Sequence, residues 1–252
     1  MATVYDSDDT LRAEARFFLT MALVMAATIV AGFSMNLAMG RSSFAVPLLV
    51  HVHAFFFFGW IALYLTQNAL VARDNVAVHR KLGWLAVLWV PAMLVLGVEM
   101  VLFSLRDHGG PPFFNKSEFL WGNVLQLLAF VGLVGAALVT RRNTGWHRRY
   151  MLTGMALLTG PGFGRLLPMP LFIPHAWWVG FAVTLVFPLI GMLADRKRHG
   201  RVHPAWFWAV GAAVAAHLLS EVIAYSDWGE AMTGSLLAGT PGAARQMDAF
   251  MP

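Results

Sequence analysis

The chain has 252 residues, of which 58% are hydrophobic and only 12% are Asp, Glu, Lys or Arg. Because soluble domains carry about 25% charged residues, this composition excludes a disordered chain and disfavours an ordinary soluble enzyme. The sequence contains no Cys, which also excludes disulfides, iron–sulfur clusters and cysteine nucleophiles. The composition therefore predicts an integral membrane protein.

Seven apolar segments reach the ~20 residues that a helix needs to cross a bilayer. They are Phe17–Met39, Phe44–Ala72, Leu82–Leu105, Phe119–Thr140, Tyr150–Ile173, Ala176–Ala194 and Pro204–Tyr225. Because polar and apolar residues do not alternate along them, the segments are helices rather than strands of a barrel. The sequence predicts an all-α polytopic protein with an N-terminal tail (residues 1–16), seven transmembrane helices (17–225) and a poorly ordered C-terminal tail (226–252).

The positions of the basic residues predict the orientation. Thirteen of the 18 Lys and Arg residues lie in the N-terminal tail or in the loops Arg73–Lys81, Arg141–Arg149 and Arg196–Arg201. The positive-inside rule places these regions in the cytoplasm and the C-terminal tail outside. The net charge of +5 then reflects orientation and attraction to anionic lipid, and nucleic-acid binding is not predicted.

The first two basic loops repeat one pattern at an offset of 68 residues. Val71, Arg73, Asn75, His79 and Arg80 recur as Val139, Arg141, Asn143, His147 and Arg148. With a weaker third copy from Lys197 to His203, the pattern predicts three helix–basic loop–helix repeats after an added first helix. A His and an Arg near a helix N-terminus suit a lipid phosphate, so candidate anionic-lipid contacts are His79, Arg80, His147 and Arg148. The simpler interpretation is that these residues cap helices and anchor them at the interface.

Four short motifs resemble one bacterial family. They are His53 with Gln67, the run from His79 to Trp84, the run from His147 to Met151, and Arg165-Leu166. Together they resemble the uncharacterised membrane family called domain of unknown function 2306, over roughly residues 50–167. The resemblance implies a multi-pass protein of the bacterial inner membrane and carries no activity with it. Tyr150 stands where the family often has Trp.

Polar residues at one height in the predicted bundle are the main functional signal. The charged residues inside the predicted spans are Glu99, Arg165 and Glu221. At a rise of 1.5 Å per residue from the basic ends of their helices, they lie at heights of about 24–26 Å. Four more polar residues lie at about 20–28 Å: His53, Asn123, Gln126 and His217. Because a charge in hydrocarbon costs ~2.5–3.5 kcal/mol, this polar layer predicts a shared site in the outer half of the membrane.

Helical spacing predicts which of these side chains face each other. His217 and Glu221 are four residues apart and share one face, as do Asn123 and Gln126, which are three apart. His53 is taken as the inward residue of the His51-x-His53 pair.

The fifth predicted helix is interrupted near the same height. Gly160-Pro161-Gly162-Phe163-Gly164 disfavours a regular helix and directly precedes Arg165. Irregular backbone at membrane depth is tolerated where it is buried in protein or lines a wet cavity. The segment therefore predicts either a packing kink or a cavity beside the polar layer.

Three functions remain open for the polar layer. The favoured one is binding of a metal ion (zinc, iron or copper) by His53, His217, Glu221 and Glu99, or of haem b by the two His, for redox chemistry. In the second, Arg165 binds an anionic small molecule, and Glu99 and Glu221 relay protons in a transport cycle. In the third the layer is structural, with Arg165 paired to an acid and the His residues bonded to Asn123 and Gln126.

Overall fold

A computed structural model describes residues 4–249, and all regular structure in this range is helical. The α helices are α1 (Val4–Ala38), α2 (Leu48–Ala72), α3 (Val76–Gly83), α4 (Ala86–His108), α5 (Lys116–Val139), α6 (Thr144–Leu157), α7 (Gly160–Leu166), α8 (Ala176–Thr184), α9 (Val186–His199), α10 (Pro204–Ala224) and α11 (Asp227–Leu237). Two short 3₁₀ segments, Met169–Phe172 and Pro241–Ala244, complete the fold. The prediction of an all-α protein is confirmed.

Six helical segments within this range are long and apolar enough to cross a membrane. They are α1 from Leu11 onward, α2, α4, α5, the α8–α9 pair and α10. Their bounds lie within a few residues of the predicted ones, except at the start of α1 and the end of α9. The prediction of a membrane protein with transmembrane helices is therefore supported.

The segment predicted as a continuous helix, Tyr150–Ile173, is divided into α6, α7 and a 3₁₀ segment. Pro161 has no backbone N–H, so the carbonyl oxygen of Leu157 has no partner one turn later. Gln126 of α5 supplies the missing donor, because its Nε2 bonds this carbonyl at 2.6 Å. The count of seven continuous helices and the threefold repeat are not confirmed.

The short helix α7 packs closely against α1. A Cβ added to Gly162 would lie 2.9 Å from the Cα of Ile29, and one added to Gly32 would overlap the carbonyl group of Gly162. Only residues without a side chain allow the two backbones to approach this closely. The glycines of the broken segment therefore fix where α7 sits.

Helix α6 occupies the interior of the bundle and contacts α1, α5, α9 and α10. Its Leu152 and Met155 are fully buried in one apolar cluster with Trp60, Phe130 and Trp206. Exposed apolar residues elsewhere on the bundle, such as Leu88 on α4 and Val222 on α10, suit contact with lipid tails. The packing thus places the broken α6–α7 segment between the outer helices.

The bundle has two ends of different chemistry. At the basic end, Glu14 near the start of α1 meets Arg148 at the start of α6 and His199 at the end of α9. At the far end, Tyr225 directly after α10 meets Glu118 at the start of α5. The described chain therefore begins at the basic end and finishes at the far end.

The C-terminal segment, predicted to be poorly ordered, is folded in residues 226–249. After α11, the chain lies over the far ends of α4 and α5. Lys116 is buried there, and its Nζ bonds the carbonyl oxygens of Gly242 (3.0 Å) and Arg245. Arg245 in turn donates to the carbonyl oxygens of Pro111 and Phe114. The prediction of disorder was wrong because the composition of this segment gives no sign of partners more than 100 residues away.

Candidate functional site

His217 is the most buried of the predicted site residues, with 6% of its surface exposed. Its ring stacks on Phe181 of α8 with centroids 4.0 Å apart and meets Trp178 edge-on at 4.4 Å. Its Nε2 is buried and has no hydrogen-bond partner in the described part of the chain. An unpaired polar atom at such a place costs free energy, which keeps His217 among the candidate site residues.

Glu221 lies one turn after His217 on the same face of α10, as predicted. The indole Nε1 of Trp178 donates to Glu221 Oε2 at 2.9 Å. The other oxygen, Oε1, is buried without a partner among the described residues. Trp178 thus contacts both His217 and Glu221, although the sequence analysis did not include it among the candidate site residues.

Glu118 is a third member of this cluster, which the sequence analysis missed. It is 3% exposed, and the hydroxyl of Tyr225 donates to its Oε1 at 3.3 Å. Tyr225 is 53% exposed as a whole residue, and desolvation at its hydroxyl together with the negative charges of Glu118 and Glu221 raises its pKa. The predicted span began at Phe119 and so left Glu118 outside the predicted helix. The available signal was Asn115-x-x-Glu118, an N-cap pattern that marks the helix as starting earlier.

We call Glu118, His217, Glu221 and Tyr225, with Trp178, the far-end cluster. Its two carboxyl groups receive hydrogen bonds from neutral donors, an indole and a phenol. Neither forms an ion pair with a side chain that the structure describes. The cluster can therefore bind a proton or a polar ligand without first breaking a salt bridge.

His53 and Glu99 do not join this cluster. His53 is partly buried between α2 and α4, where its Nδ1 lies 3.3 Å from the carbonyl oxygen of Leu96 and its ring stacks on Phe57. Glu99 is exposed and lines an open pocket of about 300 Å³ beside Arg106 and the C-terminal segment. The four predicted metal ligands are therefore not gathered into one group in the described residues.

Arg165 also has partners other than those predicted. Its Nη1 donates to the carbonyl oxygen of Pro161 at 2.8 Å, and its guanidinium lies 4.0 Å from the ring centre of Phe33. No described carboxylate lies within 4 Å of it, so the predicted ion pair with Glu99 or Glu221 does not form. Its contacts fix the end of α7 against α1.

The two predicted amides have backbone partners. Gln126 bonds the carbonyl oxygen of Leu157 at the helix break, and Asn123 donates to the carbonyl oxygen of Phe119 in its own helix at 2.7 Å. Neither Gln126 nor Asn123 is hydrogen-bonded to His53 or His217. The His–amide bonds of the structural interpretation are therefore not formed, and Gln126 instead holds the helix break.

The basic end holds a buried ionic network that the sequence analysis did not anticipate. Arg149 makes two bonds to Asp195, from Nε to Oδ2 at 2.8 Å and from Nη2 to Oδ1 at 2.6 Å. Glu14 forms an ion pair with Arg148, with Oε2 2.6 Å from Nη2, and its Oε1 lies 3.1 Å from His199 Nε2. This network joins α1, α6 and α9, so Arg148 is an internal residue rather than a free lipid contact.

Within the described residues, one group of three side chains in this network has the spacing of metal ligands. The ligand atoms of Glu14, Asp195 and His199 all lie within 4.8 Å of one another. Both carboxylates are already neutralised by Arg148 and Arg149, whose charges oppose the entry of a cation. The arrangement therefore acts as an ionic clamp between helices.

The remaining predicted lipid contacts also lie at the basic end. Arg80 is exposed, whereas His79 and His147 are partly buried and meet each other. Burial lowers the pKa of both imidazoles and so favours their neutral forms. Of the four residues, only Arg80 is free on the surface to reach a headgroup.

No family model, curated protein or solved structure matches this chain. The resemblance to domain of unknown function 2306 therefore stays a prediction, and the arguments for function rest on the geometry of the described residues.

Proposed function

We propose that this protein crosses the membrane seven times, with α6 and α7 forming a discontinuous fifth crossing, and that the far-end cluster takes up and releases protons during transport or binding of a small molecule. The observation that carries the proposal is the pair of unpartnered buried atoms, His217 Nε2 and Glu221 Oε1, on one face of α10. A bound proton or a polar ligand would give these two atoms the hydrogen-bond partner that they lack.

The charge arrangement supports proton uptake. With no cationic partner among the described side chains, an ionised carboxylate buried at this end of the bundle is destabilised by the loss of its solvation. A bound proton removes that charge, and the Trp178 and Tyr225 donors hold the carboxyl groups in place in either state. Glu118 and Glu221 can thus exchange protons without rearranging the helices.

The course of the chain supports the number of crossings. The described residues, 4–249, begin at the basic end and finish at the far end, which requires an odd number of passages through the membrane between them. We place the basic end in the cytoplasm of the bacterial inner membrane by the positive-inside rule, with anionic lipid contacting exposed residues such as Arg80.

Metal or haem binding at the polar layer requires His53 and His217 on one ligand. His53 contacts α4 and His217 contacts α8, and their helices α2 and α10 each pack against other partners. The geometry thus favours the second function of the sequence analysis over the first.

Infrared difference spectroscopy of the purified protein in liposomes tests the proposal, because it detects the C=O stretch of protonated carboxyl groups. A pH step should produce a carboxyl signal in the native chain that decreases in Glu118→Gln and in Glu221→Gln. Glu99→Gln is the matched control, since Glu99 is exposed in a separate pocket. If both cluster variants keep the native signal, the far-end cluster is not the proton-binding site.

A further inference from the structure

The two best-matching copies of the basic-loop pattern bring their His residues together. His79 on α3 and His147 on α6 have ring centroids 6.2 Å apart, with their planes at 85°. They occupy the same position in the two loops, 68 residues apart. The repeat thus produces a pair of imidazoles between neighbouring hairpins, at the opposite end of the bundle from the far-end cluster.

One imidazole is held in the orientation of a metal ligand. His147 Nδ1 lies 2.8 Å from the carbonyl oxygen of Ala137, so this nitrogen carries the proton and donates it. The lone pair is then on Nε2. A ligating His in proteins almost always donates its other ring N–H to a carboxylate, a carbonyl or water in this way.

His79 and Gln67 leave polar atoms unused beside this pair. His79 Nδ1 and Gln67 Oε1 are both buried without a hydrogen-bond partner in the described residues. The amide of Gln67 lies against α3, with Nε2 3.4 Å from the position of a Cβ on Gly83. Because Gly83 is one turn after His79 on the same face, Gln67 faces the side of α3 that carries the His.

The spacing of the rings is within about 1 Å of what a single tetrahedral ion requires. With nitrogen–metal bonds of about 2.0–2.1 Å and about 1.1 Å from each nitrogen to its ring centre, two imidazoles on one ion have centres at most about 6.4 Å apart. The observed 6.2 Å lies just inside this limit. A tetrahedral angle corresponds to about 5.2 Å, so zinc binding requires the rings to approach by about 1 Å.

The basic surroundings do not prevent a cation from binding. Arg148 is neutralised by Glu14 at 2.6 Å, and Arg141 stacks over Trp84 at 5.4 Å. Arg80 is exposed to solvent, where its charge is screened. The groups proposed to meet the ion are two imidazoles and an amide, none of which carries a positive charge in its neutral form.

We propose that Gln67, His79 and His147 bind one transition-metal ion of the zinc or copper class, which links the two hairpins at the basic end. Imidazole nitrogens suit both metals, and the amide oxygen of Gln67 supplies a third ligand atom. The site is independent of the proposed proton function.

Metal analysis after equilibration with Zn²⁺ tests this site on the full-length protein in detergent. We expect one tightly bound ion per native chain and a more than tenfold weaker affinity in His79→Ala and in His147→Ala. His108→Ala is the matched control, because His108 is exposed at the far end of α4. Retained affinity in the double variant His79→Ala/His147→Ala would overturn the proposal.

Two further measurements keep the test decisive if a variant folds poorly. Co²⁺ bound to the native protein should show the visible absorption of a four-coordinate site with nitrogen ligands, and its absence at one equivalent would count against the site. His199→Ala removes a ligand from the ionic clamp instead. If that variant loses the ion and His79→Ala keeps it, the metal binds at the clamp and our assignment is wrong.

Discussion

Removing one partner of the Arg149–Asp195 pair should destabilise the bundle strongly. Arg149 is 2% exposed and Asp195 is 3% exposed, and two hydrogen bonds of 2.8 and 2.6 Å join them. Asp195→Asn keeps the shape of the side chain but leaves the Arg149 charge with only Glu14, at 3.6 Å. Since an uncompensated buried charge costs about 3–5 kcal/mol, we expect a loss of that size in the free energy of unfolding.

The double variant Arg149→Met/Asp195→Leu separates charge pairing from simple loss of packing. It leaves no unpaired charge from this pair. Its loss in the free energy of unfolding should therefore be smaller than the summed losses of Arg149→Met and Asp195→Leu, by about 0.5–3 kcal/mol. Some loss remains, because Asp195 also accepts from Trp206 Nε1 at 2.8 Å and from the backbone N–H of His203 at 3.2 Å.

Unfolding in mixed micelles, followed by tryptophan fluorescence, measures these differences. Arg196→Met is the control, since Arg196 is exposed on the same helix and its replacement should change stability by less than about 0.5 kcal/mol. A change below about 1 kcal/mol in Asp195→Asn, or strict additivity in the double variant, would refute the ionic clamp.

Three other expectations follow from single contacts. Gln126→Leu leaves a carbonyl at the helix break unpaired and should cost about 1–3 kcal/mol in the same unfolding assay, whereas Asn123→Leu, which loses a bond only to its own helix, should cost less. Lys116→Met removes the donor that holds the C-terminal segment, so amide hydrogen exchange in residues 240–248, measured by mass spectrometry, should be faster than in the native chain. Unchanged exchange would exclude this anchor. Desolvation and nearby carboxylates raise the pKa of Tyr225, so its phenol stays protonated in the folded state above the unfolded value of about 10. The free energy of unfolding should therefore fall as pH rises beyond about 10, and it should fall less steeply in Tyr225→Phe.

The membrane helices were predictable because hydropathy and charge are local properties of the chain. The α2 segment was predicted to end at Ala72 and does so, since Arg73 and Asp74 follow directly. The helical period correctly placed His217 and Glu221 on one face, because a spacing of four residues depends only on the helix itself.

Contacts between helices were predicted less well, because height along a helix does not fix the direction of a side chain. Glu99 faces an open pocket, and Arg165 turns toward α1. Glu14, Glu118 and Asp195 were missed for a related reason. Each lies within a turn or so of a predicted span boundary, where a charge is ordinarily solvated, and each has its partners on other helices.

The two ends of the bundle differ in how their buried carboxylates are compensated. At the basic end, Arg149 and Asp195 satisfy each other through two hydrogen bonds, and Glu14 is ion-paired. At the far end, Glu221 receives one neutral donor and keeps an unpaired buried oxygen beside the unpaired nitrogen of His217. A group that served packing alone could be replaced by an apolar side chain with no loss of stability, since unpaired buried polar atoms oppose folding. The far-end cluster therefore has the chemistry expected of a site that binds a proton or a ligand in part of its working cycle.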